Sequence, residues 1–122
     1  MISVFGYGEV PISITSAADE PLGLCIEKVG YVTGGIHQLR PGDKVGLRGP
    51  YGREFPLDIA RGRDVIVMAG GLGMIPLRPL ILELYSNLKK YGKVTILYGC
   101  RKDEMLFNDE IEDWEKAGIE II

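Results

Sequence analysis

The sequence predicts two architectures in tandem, an antiparallel all-β half and a parallel α/β half, meeting between residues 57 and 63. Three observations predict it. Up to about residue 60 the chain is written in short β-rich runs punctuated by glycine, proline and aspartate. After Gly62 apolar and amphipathic runs alternate as strand, helix, strand, helix, strand, the order of a parallel sheet. Between the first of those strands and the first helix stands a glycine cluster, in DVIVMAGGLGMIPL at 64–77.

In the first half, strands are expected at 3–5, 10–14, 22–29 and 44–48. Polar and apolar residues partly alternate over 24–28, as in a half-buried strand, and an antiparallel barrel or sandwich would house such a set.

In the second half, the run before the glycines reads as a buried strand. Gly70, Gly71 and Gly73 carry no Cβ and tolerate positive φ, so a pyrophosphate could approach the main chain closely. Pro76 suits the first helical position, where its missing N–H costs nothing, and the helix end adds positive potential. An ordinary strand-to-helix turn would satisfy the same pattern, and Pro76 stands where the GxGxxG fingerprint has its third glycine. The helix that follows is supported by period: Leu77, Leu80, Ile81, Leu84, Tyr85 and Leu88 share one face, with Pro79 expected in the first turn.

A second buried strand is expected at 93–99, ending in Gly99 and followed by Cys100, Arg101 and Lys102. In doubly wound sheets ligands collect beyond the carboxyl ends of adjacent strands, so these residues should emerge beside the glycine turn. An NAD site usually puts an acidic residue here to hold the ribose. Two cations favour an anionic ligand, or else a solvated charge pair in a loop. Asn108 as N-cap, acidic residues in the first turn, Ile111 and Trp114 three apart and Gly118 as the stop predict a second helix, and 119–122 a third strand.

Composition sets outer limits. The chain has 122 residues, 25% charged and 46% hydrophobic, which is ordinary for a globular domain with a real core. A net charge of -3 without a basic tract argues against nucleic-acid binding. Cys25 and Cys100 are too few and too far apart for a disulfide framework or a cysteine-ligated cluster, and a reduced cytosol is the expected compartment. His37 lacks metal-ligand spacing and reads as a surface residue; no metal site, secretory leader or membrane span is expected.

Five collinear segments carry a family resemblance: VPISITS at 10–16, VGYVTGGIHQLRPGD at 29–43, RGPYGREF at 48–55, MAGGLGMIPLRPL at 68–80 and YGCRKDEMLFNDEIEDW at 98–114. Through them the chain resembles the ferredoxin–NADP reductase superfamily, and within it the gamma-type flavin subunits of cytoplasmic NiFe hydrogenases and sulfhydrogenases. The resemblance implies part of an antiparallel Greek-key FAD-binding barrel at 1–60 and part of a Rossmann-like NAD(P)-binding sheet at 61–122. The family's RxYS pattern meets Val10 in place of arginine and Ile12 in place of tyrosine, with Ser13 retained as the residue that approaches flavin N5 and the one catalytic candidate. Gly30 and Thr33 match a GxxS/T turn whose amides and hydroxyl would hold the FAD pyrophosphate.

By the same resemblance, FAD contacts fall at Pro11, Ile12, Ser13, Ile14, Ile26, Gly30, Val32 and Thr33. NADP or NAD contacts fall at Gly70, Gly71, Gly73, Met74, Pro76, Gly99, Cys100, Arg101 and Lys102. Gly42, Asp43, Gly49, Pro50 and Gly52 are read as architecture. The implied activity is electron transfer between NAD(P)H and iron–sulfur or hydrogenase-type partner subunits, with any iron–sulfur cluster in a partner or a further segment. The family's additional barrel strands, its cysteine-glycine-proline motif and its terminal cysteine motif lie outside these residues, so the chain is expected to be the middle of a longer subunit. The reductase arm of a dihydroorotate dehydrogenase or of an oxygenase, and a non-enzymatic nucleotide-binding or assembly module, are the alternatives.

Overall fold

The structure, a computed structural model, describes residues 1–101 and 103–122, so the expectation at Lys102 lies outside the described residues. The N-terminal sheet grows from a hairpin in which β1 (Ile2–Val4) pairs antiparallel with β2 (Gly8–Val10). The other edge of β1 pairs with β3 (Gly46–Leu47), giving the order β2-β1-β3. Tyr7 N–H closes the hairpin on the Val4 carbonyl at 3.0 Å, with Gly6 and Gly8 at φ 81° and 111°. Pro11 has no N–H to extend the ladder, so β2 stops at Val10 instead of beginning there.

The strand expected at 22–29 does not form; Ile14 and Leu24 make one isolated antiparallel bridge. Short hydroxyl side chains have taken the donors a ladder would use. Ser16 Oγ accepts the Gly23 N–H at 2.9 Å and Thr15 Oγ1 accepts the Cys25 N–H at 3.2 Å. A second departure follows, because the turn expected at Gly30 to Thr33 opens a short helix, α1 (Tyr31–Ile36). Gly35 of α1 lies against the Tyr7 ring so closely that a Cβ there would collide with it, while the Tyr7 hydroxyl donates to Gln38 Oε1 at 2.9 Å. Gly35→Ala is therefore expected to lower stability by about 1–3 kcal/mol, as in other overpacked sites. The check is the urea midpoint at constant slope; an unmoved midpoint would mean that Tyr7 steps aside freely.

The C-terminal sheet is parallel and follows chain order. β4 (Val65–Gly70) pairs with β5 (Val94–Gly99) in the register Val65↔Val94 to Gly70↔Gly99, and β5 pairs with β6 (Glu120–Ile121). The crossovers are α2 (Met74–Ser86) and α3 (Asn108–Lys116). Right-handed crossovers between strands taken in order put both helices on one face. There Val67, Met74, Ile81, Leu84, Ile96, Ile111 and Trp114 form the main core. The other face of β4 is bare: Ile66 and Met68 are 65% and 72% exposed, so this run is buried on one side only.

Three expectations about the helices need correction. With Gly73 as N-cap, Pro76 is the third helical residue and Pro79 the sixth, so Pro79 lies in the second turn and removes a hydrogen bond from the Ile75 carbonyl. Tyr85 is exposed, and Leu88 packs on the core from the 3₁₀ turn Leu88–Lys90 rather than from α2, while Met74 and Ile75 are buried as well. The cap of α3 is Phe107, in the left-handed region at φ 61°, with Asn108 as its first helical residue. The C-terminus agrees with expectation. Gly118 has φ 103°, and its N–H bonds Glu115 O while Ile119 N–H bonds Trp114 O, each at 3.0 Å, the Schellman pattern.

Candidate functional site

β4 and β5 end together, Gly70 opposite Gly99, and the chain turns at Gly71–Gly73 into α2. Positive φ is used at Gly71 alone in this turn, at 48°; Gly70 and Gly73 have φ -125° and -61°, which any residue adopts. Neither backbone strain nor packing explains Gly73 and Gly99, since a Cβ at either would meet nothing within 4 Å. The space beside them is open.

A residue that the sequence reading missed fixes this turn. Tyr98 donates its hydroxyl to the Gly71 carbonyl at 3.3 Å and accepts the Leu106 N–H at 3.2 Å, joining the turn to the approach of α3. Burial raises the Tyr98 phenol above its ordinary range; the Leu106 amide opposes this and Cys100 reinforces it. Met74 is placed differently from expectation. Its side chain is fully buried and its N–H is bonded to the carbonyls of Gly71 and Leu72, so it serves the core and the turn. Pro76 is exposed and Cys100 half-buried. Arg101 is exposed and paired with Glu104 at 3.0 Å, an ion pair of the kind that contributes about 0–1 kcal/mol and opens easily.

In the N-terminal half Pro11 and Ser13 are exposed, Ile12 and Ile26 half-buried, and Ile14 44% exposed. The Ile26 carbonyl accepts His37 Nε2–H at 2.9 Å, and His37 is exposed as expected. Val32 packs on β2, its Cγ2 3.5 Å from a Cβ placed at Gly8. Gly30 caps α1 in extended conformation. The Thr33 hydroxyl does not face outward. It is buried, accepts the Val29 and Gly30 N–H groups at 3.0 and 2.9 Å and donates to the Gly30 carbonyl at 3.1 Å, so its bonding capacity is spent inside the turn. The amides opening α1 precede its first bond, from Gly34 N–H to Gly30 O at 2.7 Å. Exposed Lys28, unnoticed in the sequence, runs beside them, its Cε 3.8 Å from a Cβ placed at Gly34.

Arg78 joins the two halves. Its Nη1 donates to the Thr15 carbonyl at 2.7 Å and to Glu20 Oε2 at 3.1 Å, and its Nε reaches Glu110 of α3 at 2.9 Å. The guanidinium lies over the Phe107 ring, 5.6 Å from its centroid, with the side chain 14% exposed. Burial works against its charge, but the hydrogen bonds it donates to Glu20 and Glu110 outweigh burial and raise its pKa; Arg78 in turn lowers that of Glu20. Beside it opens a cavity of about 470 Å³, lined by Thr15, Ser16, Leu24, Cys25 and Phe107 among others. Among the described residues no helix is long and apolar enough to cross a membrane.

Comparison with known proteins gives a consistent assignment. The chain is 42% identical over 120 residues to the sulfhydrogenase 2 gamma subunit of Pyrococcus furiosus, matching 97% of this chain and 41% of that protein. It is 38% identical over 111 residues to a probable dihydroorotate dehydrogenase B (NAD(+)) electron transfer subunit of Methanothermobacter thermautotrophicus, matching 90% and 38%. A solved variant of Plasmodium falciparum ferredoxin-NADP+ reductase, in complex with 2'P-AMP, superposes with a TM-score of 0.77 at 28% identity, covering 91% of this chain and 51% of that one. The chain spans about 40% of the length of the curated relatives it matches. No family model matches it.

Proposed function

We propose that this chain, a member of the ferredoxin-NADP+ reductase superfamily by sequence and fold, is the flavin and nucleotide junction of a longer electron-transfer subunit in the cytoplasm. The observation that carries the reading is the pair Gly73 and Gly99, whose missing side chains have no internal cause and leave main chain open at the carboxyl ends of two parallel strands. That is where a dinucleotide diphosphate needs close approach.

Residues 61–122 would hold NAD(P)H. The amides of Gly71 and Leu72, which open the helical turn, face the diphosphate, while Gly70, Gly73 and Gly99 give it room and Pro76 flanks it. Tyr98 holds the turn in shape. Cys100 and Arg101 follow Gly99 toward the adenosine end, where Arg101 exchanges Glu104 for a 2′-phosphate. Residues 1–60 would hold FAD against Pro11, Ile12, Ile14, Ile26 and Val32. Its diphosphate falls to the amides opening α1 and to Lys28, because the Thr33 hydroxyl is engaged and Val10 supplies no cation. Ser13, exposed, presents its hydroxyl toward flavin N5. FAD, when bound, would exchange the electron pair carried by one hydride from NAD(P)H for two single electrons passed to iron–sulfur clusters. Those clusters lie in partners or further segments, since two half-buried cysteines cannot ligate one.

The purified chain is expected to take up FAD and to bind NADPH in titrations followed by flavin absorbance; no uptake of either would leave an assembly module as the better description. Arg101→Ala is expected to weaken NADPH about tenfold to a hundredfold, the scale of a charged hydrogen bond at 1.5–3 kcal/mol, and to leave NADH nearly unchanged. Equal losses for both would reject the 2′-phosphate contact. The 38% identity to a dihydroorotate dehydrogenase electron transfer subunit supports a second reading of the acceptor, with the same chemistry at the flavin.

A further inference from the structure

We infer that Arg78 is the positioning residue that sets the two cofactor segments against each other, an inference that rests on the function proposed above. Arg78 is not itself among the residues assigned to either cofactor, yet the groups on either side of it lie a few residues from both sets. Thr15, whose carbonyl it holds at 2.7 Å, is two residues beyond Ser13, about 7 Å of extended chain. Met74, where α2 leaves the glycine turn, is four residues before Arg78, about 6 Å of helix. One guanidinium thus ties the segment assigned to the flavin to the segment assigned to the nucleotide.

The way it is held argues for alignment. Its planar fork is anchored in three directions at once, by Nε on both Glu110 oxygens at 3.0 and 2.9 Å, by Nη1 on the Thr15 carbonyl, and by Glu20, with the Phe107 ring beneath. A lysine would keep the charge and lose the fork. Glu20 is further braced by the Ala17 N–H at 2.8 Å, so the loop that leaves Thr15 is fixed at two points. Such a clamp restrains rotation as well as separation. Transfer between two bound rings is sensitive to sub-ångström placement, so a clamp at this junction acts on rate before it acts on affinity.

Arg78→Met and the milder Glu110→Gln, made in the 122-residue chain, test this. Without cofactor, the amides of Thr15, Gly23 and Cys25 are expected to exchange at least about tenfold faster with deuterium, while those of Val67 and Ile96 stay protected. With FAD and NADPH bound, the long-wavelength charge-transfer absorbance should fall and flavin reduction at saturating NADPH should slow about tenfold or more, with both dissociation constants little changed. Arg78→Lys should restore stability further than it restores rate. Unchanged exchange at 15–25 overturns the inference, as does a normal band and rate in Arg78→Met. If Arg78→Met loses protection throughout, Glu110→Gln decides by the same readings. Failure of the wild-type chain to bind FAD and NADPH overturns the functional reading instead, and the exchange experiment still decides whether Arg78 docks the loop.

Discussion

Trp114→Ala is expected to destabilise the C-terminal half severely, because the indole is 1% exposed and sits under the sheet with Ile96 and Ile111. Truncating a buried aromatic of this size costs about 3–5 kcal/mol, the lost transfer energy plus the void left behind. Against the roughly 5–15 kcal/mol that holds a whole domain, such a loss is a large fraction. The position bears a second load. Its carbonyl receives the Ile119 N–H at 3.0 Å as the chain leaves α3 for β6, so slack at Trp114 is passed to the last strand. Far-UV circular dichroism during urea unfolding is the measurement, since this is the single tryptophan and its own fluorescence disappears with it. Trp114→Phe should cost less by half or more. A wild-type midpoint for the alanine variant would place the energetic centre of this half elsewhere.

Gly99→Val should do the opposite: keep the fold and lose the ligand. Valine favours the extended backbone of a strand, and its Cβ meets nothing within 4 Å, so the melting temperature should hold or rise slightly. Two added methyl groups would then stand where the nucleotide has to approach. Weakening of NADPH by at least about tenfold, or 1.4 kcal/mol, is expected in equilibrium titration. Gly73→Ala should show a smaller loss in the same direction. Wild-type affinity in both variants would mean that the open space beside these glycines is not the nucleotide site, and the proposed function would lose its chief support.

What could be read from the sequence was local. The strand, glycine turn and helix around Gly70 to Gly73, the spacing of Ile111 and Trp114 and the stop at Gly118 depend on neighbours within a few residues, and the structure has all of them. Where hydroxyl side chains compete with the ladder, pattern fails: residues 24–28 partly alternate as a half-buried strand does, yet Ser16 and Thr15 bind the Gly23 and Cys25 amides that would have paired. Phe107 shows the same limit in a helix cap. A bulky residue at φ 61° runs against its own preference, by roughly 1–2 kcal/mol, and its ring packs beneath Arg78.

The residues that shape the candidate site were the least legible. Tyr98 holds a carbonyl 27 residues away and Arg78 one 63 residues away, and no periodicity reports such partners. Thr33 illustrates the converse. The motif was visible, but a hydroxyl near an amide cluster can turn inward as readily as outward, and here it closes its own turn.

The uncovered side of β4 carries a practical consequence. Ile66 and Met68 offer thioether and hydrocarbon to solvent on a strand whose outer edge pairs with nothing among the described residues. Greasy planes with open edges find one another in water. Colloidal behaviour will therefore vary with how much of this polypeptide is dissolved, and its dissociation constants belong to the dilute limit, where self-contact no longer competes.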